Sequence, residues 1–329
     1  MNVGVVVIGR NEGERLRECL ASVCPSAEDV VYVDSGSTDH SLLIAREMGV
    51  HIHELDESVP FSAARARNEG FAYLYKQNPT IQFVQFIDGD CTLSDSWLEK
   101  ASNELALHAD YAAVVGHLQE LHPEDSIYNH LCAMEWRMSA VGDITDSAGL
   151  GGISMISANV FNQLKGFNPN LVAGEEPELA VRMALANYKV VKIDYQMAVH
   201  DADMHHFSQW WKRTIRGGHA IAHRAFLNGS SAARDCVRER SSIWLWGIGL
   251  PLLVLFTIMP SSGWCALLLA GYPVLGFRVF RYRRKLGDIP YDAILYASFI
   301  VIGKFAEGIG LLKFHQNRLQ QRYEIIEYK

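Results

Sequence analysis

Residues 81–90 read Ile81-Gln82-Phe83-Val84-Gln85-Phe86-Ile87-Asp88-Gly89-Asp90. An apolar run rich in β-branched and aromatic residues, closed by an acidic turn, is the pattern of a buried strand with two carboxylates at its end. The pattern recurs on either side. Residues 3–8 form a buried strand, 14–23 a helix with Leu16, Leu20 and Val23 at helical spacing, and 30–33 a second strand closed by Asp34-Ser35-Gly36-Ser37-Thr38-Asp39. Asp39 or Thr38 caps a helix through Met48, residues 50–55 are a third strand, and 62–76 are helical. Beyond Asp90, residues 94–108 are helical and 111–118 extended. The middle of the chain is less regular. Residues 149–156 read as a short strand opened by glycines, 177–186 as a helix entered through Gly174-Glu175-Glu176, and 190–193 as one more strand. This alternation predicts an α/β fold, a mostly parallel sheet with helices on both faces, whose ligands bind outside the carboxyl ends of the strands.

The chain has 329 residues, 49% hydrophobic and 20% charged, which is material for about two domains and excludes disordered and collagen-like classes. Its formal net charge of −7 conceals a division. Residues 231–329 hold 13 Lys and Arg against 7 Asp and Glu, whereas residues 1–230 hold 17 against 30. So acidic a domain is a poor binder of a phosphate backbone, and no nucleic-acid partner is expected. Six cysteines are scattered with no Cys-x-x-Cys pair, which argues against a disulfide framework or zinc ribbon and for reduced thiols. The apolar start has no basic lead and ends at Arg10-Asn11-Glu12, so it reads as a strand and not as a signal peptide.

Asp88 and Asp90, at i and i+2 on a turn, can converge on one divalent cation; hard oxygen donors suit Mg²⁺ or Mn²⁺, which also take oxygens from a diphosphate. Asp-x-Asp is common in solvated turns. Its place after a buried strand, with a second acidic turn at Asp34, favours the cation. The first turn, Gly9-Arg10-Asn11-Glu12, lacks the Gly-x-Gly-x-x-Gly fingerprint, and no Gly-Lys-Ser/Thr P-loop occurs, so standard nicotinamide and P-loop readings fall away.

Taken in order, Asn11-Glu12, Asp34-Ser35-Gly36-Ser37-Thr38-Asp39, Ala66-Arg67-Asn68-Glu69-Gly70 and Asp88-Gly89-Asp90 resemble the motifs of family 2 glycosyltransferases. Gly151-Gly152, Lys165-Gly166-Phe167-Asn168 and Gly174-Glu175-Glu176-Pro177-Glu178-Leu179 continue the series, and the resemblance covers about residues 1–225. It implies a GT-A-like nucleotide-diphospho-sugar transferase fold and transfer of a sugar from a nucleotide donor (UDP-, GDP- or dTDP-sugar) with inversion at the anomeric carbon. By position, Asn11 and Glu12 would lie near the nucleoside, and Asp34 would take the base or ribose. Arg67 and Asn68 would belong to a segment closing over the nucleotide, Asp88 would face the ribose or metal, and Asp90 would bind Mn²⁺ or Mg²⁺. Glu176 would be the general base, although Asp is more usual at that position, which leaves Glu175 as the alternative. His200, after a strand-like segment, would approach the metal or diphosphate. Gln209-Trp210-Trp211-Lys212-Arg213 does not reproduce the Gln-x-x-Arg-Trp order of processive synthases, which favours addition of a single sugar. The rival readings are a sugar-phosphate nucleotidyltransferase on a similar fold and a catalytically silent membrane scaffold.

The C-terminal part differs in kind. Residues 243–260 carry no charge, and at 1.5 Å per residue they span roughly 27 Å, close to a bilayer's hydrocarbon core. Residues 263–280 form the second arm of the expected membrane hairpin, uncharged as far as Phe277. Arg234, Arg238 and Arg240 precede the uncharged pair, and Arg278, Arg281, Arg283, Arg284 and Lys285 follow it, which places both ends in the cytoplasm. Residues 291–314 are apolar but carry Lys304 and Glu307, and read as an interfacial or third helix. The expected division is a catalytic domain over 1–230 and a membrane-associated region over 231–329. The expected setting is the cytoplasmic face of a bacterial inner membrane, among membrane lipid, with a lipid-linked or glycan acceptor.

Overall fold

The computed structural model describes residues 2–27, 29–137, 140–145 and 149–320. The chain divides into two compact units. The first comprises Met1–Leu171 and Glu175–His205, the second Val172–Gly174 and the chain from His206 onward.

The first unit is built on a nine-stranded mixed sheet. Strand β1 (Val3–Gly9) is flanked in parallel by β2 (Asp29–Asp34) and β4 (Phe83–Asp88), and β3 (His51–Glu54) extends β2. Runs such as Val5-Val6-Val7 are fully buried, as strands covered on both faces must be. Register aligns the strand ends: Gly9 lies opposite Asp34, and Ile8 opposite Asp88. The acidic turns therefore share one edge of the sheet, as the strand–helix alternation predicts. Helix α1 (Glu14–Val23) has the bounds read from the sequence, and α2 (Ser41–Glu47) has its first N–H bound by the Asp39 carboxylate, 2.9 Å from Ser41 N.

Helix α3 (Ala63–Gln77), capped by the Ser62 hydroxyl, lies close on the sheet because residue 70 is glycine. A Cβ there would stand 2.5 Å from Val6 Cγ1 and 2.7 Å from Val33 Cγ2.

The rest of the sheet departs from simple alternation. β5 (Cys91–Leu93) follows the Asp88–Asp90 turn, then come α4 (Trp97–Leu107), β6 (Tyr111–Glu120), α5 (Ile127–Trp136) and the two-residue β7 (Gly142–Asp143). β8 (Ser154–Ser157), α6 (Ala158–Gln163), α7 (Glu175–Leu185) and β9 (Lys189–His200) complete the unit. β8 lies antiparallel between β4 and β6, β9 runs parallel to β6, and β5 and β7 pair antiparallel with β9. The expected strand over 190–193 is thus the first third of a 12-residue strand ending at His200. That over 149–156 is confined to Ser154–Ser157.

The second unit is helical. α8 (Phe207–Asn228) is followed by α9 (Val237–Ile243), a π-turn over Trp244–Gly249 and α10 (Leu250–Thr257), a continuous helical stretch. A 3₁₀ segment, Trp264–Ala270, leads into α11 (Gly271–Lys285), and α12 (Pro290–Gln320) closes the described chain. Val237–Thr257, Trp264–Lys285 and Pro290–Gln320 are each long and apolar enough to cross a membrane. The third stretch is thus a long helix, and the two charges in its middle are carried as an ion pair, Lys304 Nζ to Glu307 Oε2 at 2.7 Å. Glycines bring α12 against its neighbours at backbone distance: a Cβ on Gly218 would lie 2.2 Å from Glu307 O, and one on Gly310 2.0 Å from Ile215 O. Trp210 is buried in this unit, edge-on to Phe299 at 4.7 Å, so its ring serves packing.

Gly70→Ala is expected to lower stability by about 1–3 kcal/mol, because neither valine can move without disturbing a central strand. Gly217→Ala, whose Cβ would meet nothing within 4 Å, is the control expected to be neutral or slightly stabilising. Denaturant midpoints of the full chain in detergent measure both.

Candidate active site

The site grows from the carboxyl ends of β1, β2 and β4. Asp34 is buried and pinned: Oδ1 accepts from the Tyr32 hydroxyl at 2.9 Å, and Oδ2 from the N–H groups of Gly36 at 2.9 Å and Ser37 at 2.8 Å. Burial beside this carboxylate raises the Tyr32 pKa, so its hydroxyl remains a donor. Asn11, with φ at 59°, gives its N–H to Ser37 Oγ and accepts at Oδ1 from the Thr38 N–H at 2.7 Å. Glu12 and Gly13 both donate backbone N–H to Ser41 Oγ at 3.1 Å. The first two acidic motifs are therefore one stitched surface.

Arg67 lies at the centre of the second group. Its Nη2 donates to Asp88 Oδ1 at 2.8 Å, and its Nη1 to Glu175 Oε1 and Glu176 Oε1, each at 2.9 Å. The guanidinium is 3% exposed and lies over the Phe167 ring at 5.7 Å. Burial opposes its charge, yet Asp88, Glu176 and Glu175 hold its pKa above the ordinary arginine value. Gly152 forms the wall: a Cβ there would stand 2.6 Å from Arg67 Nη2, 2.9 Å from Asp88 Oδ2 and 3.3 Å from Glu176 Oε1. Glu175 is 3% exposed and Glu176 15%. Burial, reinforced by the neighbouring Glu175, pushes the Glu176 carboxyl up to about 7 against the pull of Arg67. Such a value suits a base working near neutral pH. Asn68 faces elsewhere: its amide donates to Phe167 O at 2.8 Å and accepts from Phe167 N–H at 2.9 Å, fixing the Lys165–Phe167 turn.

A third group surrounds Asp90. Asp90, Cys91 and His200 place one ligand atom each within 4.8 Å of one another, the group of metal-ligating types that stands out among the described residues. His200 Nε2 lies 3.6 Å from Asp90 Oδ1 because Cys91 pairs with His200 between β5 and β9. The Cys91 thiol donates to Asp90 Oδ1 at 3.2 Å, and burial beside Asp90 and Asp88 pushes its pKa well above the ordinary thiol value. A neutral thiol is a poor ligand for a hard cation, so the usable donors are the Asp90 carboxylate and the His200 imidazole. Those donors fit a divalent cation such as Mn²⁺. Asp88 is not in this group; its Oδ1 is directed to Arg67.

Two contributors escape a reading of the sequence. Arg15 links Glu12 at 3.0 Å to Asp203 at 3.3 Å and Asp201 at 3.7 Å, and so ties the start of α1 to the segment after β9. Glu120 ends β6 with its side chain buried beside His200. The Glu120-x-His122 spacing was the one available hint, and nothing in it distinguishes a site residue from a polar strand end.

Residues 4–147 match the family model Glycosyl transferase family 2. That stretch of the first unit is thus similar to a family 2 glycosyltransferase domain, the enzyme class that the ordered motifs resemble. A TPR repeat-containing protein of Synechococcus elongatus is 40% identical over 101 residues, 30% of this chain and 23% of that protein. The chain thus matches about a quarter of that curated relative. Among solved structures, a mannosyltransferase from Pyrobaculum calidifontis in complex with GDP-Man and Mn²⁺ aligns with a TM-score of 0.64 at 18% identity, covering 96% of this chain and 88% of that one. S. aureus TarS 1–349 aligns at 0.54 and 15% identity, covering 100% and 95%. Likeness at this distance establishes the GT-A-like fold.

Arg67→Met leaves three carboxylates without their cation and is expected to cost about 3–5 kcal/mol at pH 8. The loss should shrink toward pH 5 as the freed carboxyls take up protons. Thermal unfolding of the two proteins at both pH values tests this; an equal deficit at each pH would show that the cluster is not the cause.

Proposed function

We propose that the protein is a metal-dependent, inverting glycosyltransferase that moves one sugar from a nucleotide-sugar donor to a lipid-linked or glycan acceptor at the cytoplasmic face of a membrane. The observation that carries this reading is the convergence of the Asp88–Asp90 turn, which lies in the stretch similar to family 2, and the Glu175-Glu176 helix start beyond it, joined through Arg67. Asn11, Glu12 and Asp34 form the nucleoside side of the site, where the turn that the buried Asp34 carboxylate pins would meet a base and ribose. Asp90 and His200 would hold Mn²⁺ or Mg²⁺, with Asp88 beside them facing the ribose or the cation. When bound, that cation neutralises the charge developing on the nucleoside diphosphate as it leaves. A mannosyltransferase of the same fold holding GDP-Man and Mn²⁺ supports this division of labour.

Glu176 is the base in this reading. Its carboxylate takes the proton of the acceptor hydroxyl as that oxygen bonds to the anomeric carbon. The bond to the diphosphate oxygen breaks on the opposite face, and its electron pair departs with the nucleoside diphosphate. Glu175, more deeply buried on the same guanidinium nitrogen, keeps the Glu176 pKa high. Arg67 orients both, and Asn68 holds the Lys165–Phe167 turn beneath them.

The membrane assignment rests on three helical segments of sufficient length and apolarity. Their surface is largely unpacked within the unit: no part of the most apolar window of Trp264–Lys285 is buried. Exposed side chains such as Phe256, Met259, Trp264 and Leu267 suit lipid and not water. The basic ends of the first two segments favour the cytoplasmic side, toward anionic lipid. The full chain is expected to stay in the pellet after an alkaline carbonate wash; release into the supernatant would overturn the spanning assignment.

Purified protein should be incubated with Mn²⁺, a lipid extract and a panel of UDP-, GDP- and dTDP-sugars, with nucleoside diphosphate release and product mass as readouts. Release with one donor and a product heavier by one sugar is expected. Asp90→Asn should abolish it, whereas pyrophosphate release would place the protein among nucleotidyltransferases instead. Glu176→Gln is expected to lower kcat by about 10²–10⁴-fold with donor binding retained. Because the base works deprotonated, kcat should rise with pH through about 7 and then level off. A flat profile from pH 5.5 to 8.5 would remove Glu176 from that role.

A further inference from the structure

Glu120 is a carboxylate with 0% side-chain exposure at the end of a strand. Its two oxygens lie 3.2 and 3.3 Å from the Ala202 N–H, and Oε1 lies 3.5 Å from the His122 N–H. The His200 ring faces the same carboxylate, with Nδ1 at 3.8 Å from Oε2 and its opposite nitrogen, Nε2, at 3.6 Å from Asp90 Oδ1. The ring is held on its other sides as well. Trp136 meets it edge-on, 4.8 Å between centroids at 78°, and the Cys91–His200 pairing fixes the backbone beneath it.

Both ring nitrogens face carboxylates, which only accept; with a cation on the Asp90 side, the ring hydrogen is left on Nδ1, whose neighbouring carboxylate is Glu120 at 3.8 Å. Nε2 then presents its lone pair toward the Asp90 carboxylate. Two electron-rich groups facing one another across 3.6 Å are stabilised by a cation placed between them. We propose that Glu120 is a positioning residue for the divalent cation. It sets the ring orientation and tautomer that make His200 Nε2 a ligand beside Asp90, and so biases the site toward Mn²⁺ over Mg²⁺. The proposal rests on the metal reading given above. Carboxylates behind ligating histidines have this effect in general, and their loss weakens metal binding by about 10–100-fold. Selectivity follows from the donor: Mg²⁺ is bound through oxygen, whereas a first-row transition cation also takes imidazole nitrogen.

The test is metal binding by the full chain in detergent without donor, using the electron paramagnetic resonance of free Mn²⁺ and calorimetry with Mg²⁺. Glu120→Gln is expected to weaken Mn²⁺ about 10–100-fold and Mg²⁺ little. The double variant with His200→Ala should bind as His200→Ala alone, because Glu120 acts through the ring. Unchanged Mn²⁺ affinity in Glu120→Gln, or a further loss in the double variant, overturns the proposal. If Asp90→Asn binds Mn²⁺ as tightly as the unaltered protein, it is the metal site itself that fails. Pulsed resonance of Mn²⁺ on the unaltered chain guards against a variant that does not fold. A directly bonded histidine nitrogen that vanishes in His200→Ala is expected, and its absence from the unaltered protein also overturns the proposal.

Discussion

The buried guanidinium of Arg67 is the constraint around which the first unit is arranged. One cation meets three carboxylates from two distant parts of the chain, the end of β4 and the start of α7. Removing such charges from water costs several kcal/mol each, and mutual attraction rarely returns more than that. The cluster is therefore better understood as a fixed geometry than as a source of stability. Its negative excess makes a cation favourable nearby, and its shape sets tight demands on its neighbours. Gly152 must lack a side chain, since a Cβ there would meet the guanidinium, Asp88 and Glu176 together. α3 must lie close to the sheet, which Gly70 permits. Asn68, one residue on and rotated by about 100°, fixes the backbone of Phe167, whose ring supports Arg67. Three residues of one helix turn thus carry charge, anchorage and close packing.

How much of this could be read in advance depends on whether a residue announces itself locally. Asp34, Asp88 and Asp90 did, because a parallel sheet places strand ends on one edge and each acidic turn directly follows a buried run. Glu175 and Glu176 were legible through the order of motifs, but not their common partner, which lies 108 and 109 positions away. The antiparallel insertions were hidden for another reason. β9 pairs with β6 through several register irregularities around Tyr195, and bulges of that kind break the period of two on which strand recognition rests. Its visible part therefore stopped at residue 193, and His200 stood outside any element. Cys91–Leu93, three residues long, carries too little pattern to be separated from the turn before it. Glu120 was missed because a buried carboxylate and a solvated strand end look alike in one dimension.

Charge accounts for the second unit in a different way. Lys304 and Glu307 made residues 291–314 ambiguous, since either charge alone is costly in a hydrocarbon environment. At i and i+3 on one helix face they neutralise each other within a single turn. Gly218 and Gly247 pack against the backbone at Glu307 and Lys304, so neighbouring helix backbone covers the polar turn. The pair is accommodated against backbone, while apolar side chains elsewhere on the helix, such as Ile294, Ile309 and Leu312, stay exposed. The same chain therefore handles charge by two opposite rules. In the sheet it gathers like charges at a strand edge, around the one guanidinium of Arg67. In the helices it cancels unlike charges one turn apart, so that nothing further is required.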